Sequence, residues 1–178
     1  MPSWGFVPAS RQYAQPALTT GRPGYIGPTV LSVGDKAPDF EGIDQFGKKW
    51  TLDELVKDRS IVLYFYPKDF TPVCTKEACL FRDAHEELAK GGISVVGISM
   101  DDAESHAKFA EQHRLPFPLL SDPGKHIANA YGARQLLGLF AKRVTYVIDR
   151  EKRVRGAFHH ELSAQRHLDD VRRVVAAG

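Results

Sequence analysis

The stretch SIVLYFYPKDFTPVCTKEACLFRDAHEELAK, residues 60–90, decides the fold because it joins an apolar strand to a helix through a short connection. The strand pattern is SIVLYFYP, the connection is KDFTPV, and the helix pattern CTKEACLFRDAHEELAK stops before Gly91 and Gly92. Helices commonly end at glycine. The chain has only two cysteines, Cys74 and Cys79, and both lie in the first turns of this predicted helix. Any thiol chemistry must therefore take place here.

A second continuous apolar run, ISVVGISM at residues 93–100, follows the helix. Two buried strands joined by a helix predict a βαβ unit, since parallel strands covered on both faces are apolar throughout. We predict further elements from the same patterns: a hairpin turning at 45–47, helices at 52–57, 101–114, 125–131 and 163–176, a short extended piece at 117–122, a loop at 132–140, and two strands at 143–149 and 153–159 that turn at 150–152. These elements predict an α/β domain with a mixed central β-sheet flanked by helices.

Composition is typical of one globular domain with a tail. Of 178 residues, 43% are hydrophobic and 26% are charged, and the formal net charge is +2. That charge is too small to indicate nucleic acid as a partner. Residues 1–30 contain five prolines, four glycines and no acidic residue. We therefore predict an N-terminal Pro/Gly-rich tail at 1–30 and one domain at 31–178.

The location of the protein is predicted mainly from signals that the sequence lacks. No apolar run approaches the roughly 18 residues that a membrane-spanning helix needs, and no secretory h-region is visible. We therefore expect a soluble, cytoplasmic protein without a membrane partner. An organellar transit peptide is the alternative for residues 1–30, because such peptides also lack acids.

Cys74 lies where a helix begins directly after a strand. Thr71 is a good N-cap and Pro72 suits the first helical position, so Cys74 lies among amide groups without intrahelical partners. Those donors and the positive end of the helix dipole favour a thiolate, which predicts a nucleophile. The alternative is a small buried residue, because Ala78, Phe81 and Leu88 continue the same helical face.

The five-residue spacing constrains what Cys74 and Cys79 do together. On an intact helix, their Cα atoms lie about 8.6 Å apart and about 140° around the axis from each other. A disulfide needs Cα atoms within about 7 Å, so the two residues bridge only if the first turns unwind. Zinc is disfavoured because structural sites use shorter spacings and two further ligands. His159 and His160 are expected to be solvated rather than metal-bound.

The run YPKDFTPVCTKEACLFRD resembles the active-site segment of the peroxiredoxins, whose P-x-x-x-T-x-x-C pattern is met by Pro67, Thr71 and Cys74. A second cysteine five residues later, at Cys79, is similar to the atypical two-cysteine branch called peroxiredoxin Q or bacterioferritin comigratory protein. The segments VGDKAPDF and RVTYVID also match, so the resemblance extends from Leu31 to the C-terminus.

The resemblance implies a thioredoxin-like fold and a thioredoxin-dependent peroxidase that needs no metal or organic cofactor. Cys74 would attack hydrogen peroxide or an organic hydroperoxide and become a sulfenic acid. Thr71 would hydrogen-bond the thiolate and a peroxide oxygen. Pro67 would shield the thiolate, and Arg143 would stabilise it together with the charge on the oxygens. Glu77 would help to orient that arginine.

The resemblance also assigns Cys79 as the resolving thiol, which forms a disulfide with Cys74 after local unfolding. Thioredoxin or a similar dithiol protein would reduce the disulfide, and the branch is often monomeric. Two other hypotheses remain open: a non-enzymatic redox switch or chaperone, and a dithiol oxidoreductase acting on protein disulfides. The C-x₄-C spacing, rather than C-x-x-C, argues against the last.

Overall fold

The computed structural model describes residues 30–135 and 137–177. The predicted tail at 1–30 lies outside the described residues except for Val30, which packs with Leu31 against the core. None of the helices in the described part of the chain combines the length and the apolar character needed to cross a membrane.

A seven-stranded sheet forms the centre of the described structure. Its strands are β1 (Glu41–Asp44), β2 (Lys49–Thr51), β3 (Ser60–Phe65), β4 (Ile93–Ser99), β5 (Leu119–Ser121), β6 (Val144–Ile148) and β7 (Val154–His159). They lie side by side in the order β2-β1-β5-β4-β3-β6-β7. The pairs β3–β4 and β4–β5 are parallel, whereas the other pairs are antiparallel. This confirms the predicted mixed sheet and the parallel βαβ unit.

Helices cover both faces of the sheet. They are α1 (Leu52–Val56), α2 (Pro72–Asp83), α3 (His85–Lys90), α4 (Ala103–His113), α5 (His126–Ala130) and α6 (Ala164–Ala177). Residues of α1 and α5 share one core cluster, and residues of α2, α3, α4 and α6 share the other. Successive β3 side chains alternate between the two clusters, as the pleat requires. The continuous apolar run in β3 therefore reflects burial on both faces, as predicted.

The helix predicted to continue to Lys90 is two helices, so this prediction was wrong. Helix α2 ends at Asp83, and the buried Ala84, with φ −86° and ψ −1°, separates it from α3. Helix α2 packs on α6, whereas α3 packs on β4. The turn at Ala84 allows α2 and α3 to pack against these different elements. No glycine or proline marks the break, so the local pattern contains no sign of it.

The connection between β3 and α2 brings the site to the carboxyl end of the parallel strands. Phe70 adopts φ 60°, a left-handed conformation that bulky residues rarely take. The backbone N–H of Asp69 donates to a carboxylate oxygen of Asp101, which follows β4, at 2.9 Å. The connection is thereby attached to the end of the neighbouring strand.

Candidate active site

Cys74 is the third residue of α2, and its side chain is buried with only 1% exposure. It packs in the same core cluster as Ala78 and Phe81. Its burial alone would therefore also fit the alternative of a structural cysteine. However, Nη2 of Arg143 donates a hydrogen bond to its Sγ at 3.2 Å. The buried sulfur therefore lies next to a fixed cation, in the first turn of a helix.

Arg143 immediately precedes β6, and its guanidinium donates hydrogen bonds to three partners. Nη2 donates to Cys74, Nη1 donates to Oε2 of Glu77 at 2.5 Å, and Nε donates to the backbone oxygen of Glu161 at 3.1 Å. The residue is 3% exposed. These contacts hold the guanidinium plane in one orientation beside the sulfur.

Glu77 lies one helical turn after Cys74 and is fully buried. Burial raises the pKa of its carboxyl group to about 7, although the neighbouring Arg143 opposes the shift. Its second oxygen, Oε1, has no hydrogen-bond partner among the described residues. Nδ1 of His167, on α6, lies 3.9 Å from this oxygen.

His167 is a site residue that the sequence did not reveal. Its ring is fully buried, and Nε2 contacts the backbone oxygen of His160 at 3.0 Å. Burial lowers the pKa of this imidazole to about 4. Helix α6 was predicted, but its packing on α2 depends on the tertiary fold. The α6 pattern alone therefore could not connect His167 with Cys74.

Thr71 occupies the predicted N-cap position of α2, but its side chain makes no cap hydrogen bond. Its hydroxyl instead donates to the backbone oxygen of Lys68 at 2.9 Å. Thr71 is therefore the N-cap residue by position, as predicted, but its hydroxyl makes no capping hydrogen bond to the helix. The hydroxyl makes no hydrogen bond to Cys74 in the described structure. Pro67 follows β3 and is half-buried.

Cys79 is on the same helix but in different surroundings. It is partly exposed, and its Sγ lies 4.0 Å from Nδ1 of His113 at the end of α4. Arg82 donates to the backbone oxygen of His113 at 2.9 Å. Both cysteines are free thiols within one uninterrupted helix. This confirms the predicted helical setting of the pair, in which the thiols are not bridged.

A buried polar cluster supports the loop before α2, and sequence reasoning did not single it out. Asp69 accepts hydrogen bonds from the hydroxyls of Tyr66 and Ser105, each at 2.7 Å. Nδ1 of His106 contacts the same carboxylate at 2.8 Å, and both side chains are almost completely buried. Because Ser105 and His106 belong to α4, this cluster fixes the loop to that helix.

Within residues 30–135 and 137–177, His, Cys, Asp and Glu side chains form no group that could hold a metal ion. The two histidines considered in the sequence have carboxylate partners instead. His159 contacts Glu161 at 2.6 Å, and His160 contacts Asp170 at 2.6 Å. His159 is exposed and His160 is partly buried.

Comparison with known proteins relates residues 33–157 to the AhpC/TSA family. The chain is 41% identical over 146 residues to "Peroxiredoxin Q, chloroplastic" of Triticum aestivum, covering 82% of this chain and 67% of that protein. The structure is similar to peroxidoxin BcpB of Mycobacterium tuberculosis, with a TM-score of 0.78 and 43% identity over 83% of this chain and 97% of that one.

Another similar structure is the bacterioferritin comigratory protein of Xanthomonas campestris, described with alkyl peroxide reduction activity. The TM-score is 0.71 and the identity is 28%, covering 78% of this chain and 90% of that one. The family match covers well over half of the chain, and the solved relatives share its thioredoxin-like fold. The chain therefore belongs to the AhpC/TSA family of peroxiredoxins and is a thiol-dependent peroxidase.

Proposed function

We propose that Cys74 is the peroxidatic cysteine of this enzyme. The hydrogen bond from Arg143 to its Sγ carries the proposal, because it places a fixed cation beside the buried sulfur. The thiolate sulfur attacks one peroxide oxygen, and the O–O bond breaks. Sulfur is oxidised to sulfenic acid, while the other oxygen takes up a proton and leaves as water or an alcohol.

Arg143 is proposed to stabilise both the thiolate and the negative charge that develops on the leaving oxygen. Its three donors are already oriented, so little reorganisation is needed during the reaction. Thr71 is proposed to turn its hydroxyl from Lys68 to the peroxide when substrate is bound. Pro67, at the end of the strand, is proposed to limit water access to the sulfur.

Cys79 is proposed to be the resolving cysteine. Its sulfur attacks the sulfenic sulfur of Cys74, a disulfide forms, and the hydroxyl leaves as water after taking up the proton that Cys79 releases. Helix geometry keeps the two Cα atoms about 8.6 Å apart, beyond the reach of a disulfide, so α2 must first unwind. The folded helix therefore serves peroxide reduction, and its unwound form serves resolution.

Thioredoxin or a similar dithiol protein is the proposed reductant of the Cys74–Cys79 disulfide. Organic hydroperoxides are proposed as substrates beside hydrogen peroxide, and the alkyl peroxide reduction of the Xanthomonas protein supports this breadth. We propose that the enzyme acts as a monomer, since one chain supplies both cysteines and Arg143. Sedimentation of the reduced and oxidised protein tests this last point.

The experiment that tests the function follows peroxide consumption with thioredoxin, its reductase and NADPH. Cys74→Ser should abolish turnover, and Cys79→Ser should still form sulfenic acid in a single turnover. After one equivalent of peroxide, the intact mass of the wild type should fall by two hydrogens, as a disulfide requires. Full turnover in both variants would overturn the assignment. A stable oxygen adduct in the wild type would indicate a redox switch instead.

The cellular location and the role of residues 1–30 are separate proposals. We propose a cytoplasmic enzyme whose domain is formed by residues 31–178, whereas the wheat relative is named as chloroplastic. Fluorescent fusions of the full chain and of residues 31–178 distinguish the alternatives. Organellar fluorescence that depends on residues 1–30 would overturn the cytoplasmic proposal.

A further inference from the structure

Two buried polar atoms face each other behind the peroxidatic site without hydrogen-bond partners among the described residues. They are Oε1 of Glu77 and Nδ1 of His167, which lie 3.9 Å apart in fully buried side chains. The other polar atom of each side chain is already engaged. Oε2 of Glu77 accepts from Arg143, and Nε2 of His167 contacts the backbone oxygen of His160.

The partner of Nε2 determines where the protons lie. A backbone oxygen only accepts hydrogen bonds, so Nε2 of His167 carries the proton in this contact. A neutral ring then presents a lone pair at Nδ1, and an ionised Glu77 would present another at Oε1. Two buried lone pairs that face each other are costly. One proton between them removes this cost, and a shift of roughly 1 Å brings the atoms within hydrogen-bond distance.

The surroundings favour the carboxyl group as the holder of this proton. Burial raises the pKa of Glu77 to about 7 and lowers that of His167 to about 4. Among the described residues, four charged or titratable groups surround Glu77: Arg143, Glu161, Tyr64 and His167. Four of the described groups surround His167: His160, Arg143, Asp170 and Glu77. Arg143 alone favours an ionised Glu77, and burial outweighs it.

We propose that His167 is a positioning residue of the peroxidase: it accepts a hydrogen bond from protonated Glu77 and so keeps this carboxyl group uncharged beside Arg143. The guanidinium charge is then directed to the Cys74 sulfur, at 3.2 Å, rather than divided between a carboxylate and a thiolate. The benefit to Cys74 rests on the function proposed above, whereas the shared proton does not.

The proton itself is tested without any peroxide. The infrared difference spectrum of wild type minus Glu77→Gln near neutral pH should contain the carbonyl band of a protonated carboxyl group. His167→Phe should shift or remove this band, and His126→Gln, a change at an exposed histidine, should leave it in place. Nitrogen NMR should find the His167 ring neutral with its proton on Nε2. Absence of the band, or a doubly protonated ring, overturns the proposal.

The effect on chemistry is tested by the pH profile of Cys74 oxidation in Glu77→Gln. Glutamine imitates protonated glutamate in both contacts, but it has no proton to lose. The ratio of the variant rate to the wild-type rate should rise roughly fivefold between about pH 6 and about pH 9, because only the wild type gains a competing anion. A ratio that stays constant or falls overturns the positioning role.

Thermal unfolding of each variant checks that it is folded at every pH used. The two tests also separate this inference from the proposed function. If Cys74→Ser retained full turnover, the peroxidatic role would fail while the infrared band could remain. If the band were absent while Cys74→Ser was inactive, only the role of His167 would fail.

Discussion

The two cysteines of α2 share a helix but differ in almost every contact. Cys74 is buried against Arg143, whose orientation Glu77 and the Glu161 backbone maintain. Cys79 is partly exposed, and its sulfur lies 4.0 Å from Nδ1 of His113, with Arg82 also beside it. As the proposed peroxidatic thiol, Cys74 has a prepared site, whereas Cys79, as the proposed resolving thiol, has few contacts to lose when it moves. The difference indicates that position on one helix, rather than residue type, divides the two proposed steps.

The largest effect is expected when the cation beside Cys74 is removed. Arg143→Met should slow single-turnover oxidation by peroxide about 100-fold or more, because a preoriented donor to the reacting atoms is removed. Stopped-flow measurement of sulfenic acid formation checks this. Arg82→Met is the matched control at the Cys79 end and should change this rate little. Equal losses in both variants would contradict the division between the two ends.

A smaller effect is expected from the stability of α2. Lys76 is exposed, and Lys76→Gly should destabilise the helix by about 1 kcal/mol relative to Lys76→Ala. If unwinding precedes resolution, disulfide formation after a peroxide pulse should be about fivefold faster in the glycine variant. Quenched-flow mass spectrometry measures this rate.

The exposed Glu86 on α3 provides the positional control. Glu86→Gly should have no comparable effect on disulfide formation, because α3 is separated from α2 at Ala84. Equal acceleration in both glycine variants would mean that the opening extends beyond α2. No acceleration in either would mean that unwinding does not limit resolution.

The smallest expected effect is the contribution of Glu77 to the pH dependence of the free energy of unfolding. The pKa of Glu77 is raised in the folded protein, so its contribution to stability is complete below the ordinary value of 4.5 and is lost as pH rises through about 7. The free energy of unfolding of Glu77→Gln relative to wild type should therefore increase over this range. Urea unfolding measures it.

The control for this titration is Asp83→Asn, at an exposed carboxyl group near the end of the same helix. An equal increase in Asp83→Asn would show that the pH dependence does not arise at Glu77. A Glu77→Gln curve parallel to the wild type would show that Glu77 does not bind its proton more tightly in the folded state.

Much of the fold was predictable because its elements have local signatures. The apolar run of β3 predicted a strand covered on both faces, and the turn residues at 45–47 and 150–152 predicted two hairpins that the structure contains. The break at Ala84 was missed because it arises from the different partners of α2 and α3. The strand order of the sheet also arises from long-range packing and was not predicted.

The site was predictable in part. Cys74 was identified from the local strand–helix junction, and Arg143 only through the family resemblance, since the two lie 69 positions apart in the chain. His167 and His113 lie on other helices, and their spacing to the cysteines follows no local period. The Asp69–His106 contact depends on the loop meeting α4. Such pairs are created by tertiary packing and have no single-sequence signal.

The uninterrupted α2 helix also has a consequence for the redox potential of the enzyme. If the Cys74–Cys79 bridge forms as proposed, reducing it lets the helix refold and restores the Arg143 contact with Cys74. That refolding energy adds to the driving force of reduction, which is typical of oxidising, catalytic disulfides rather than structural ones. A bridge across so few residues also removes little chain entropy, so it stabilises the oxidised form only weakly. The geometry that delays the bridge therefore also makes it easy for a dithiol protein to open.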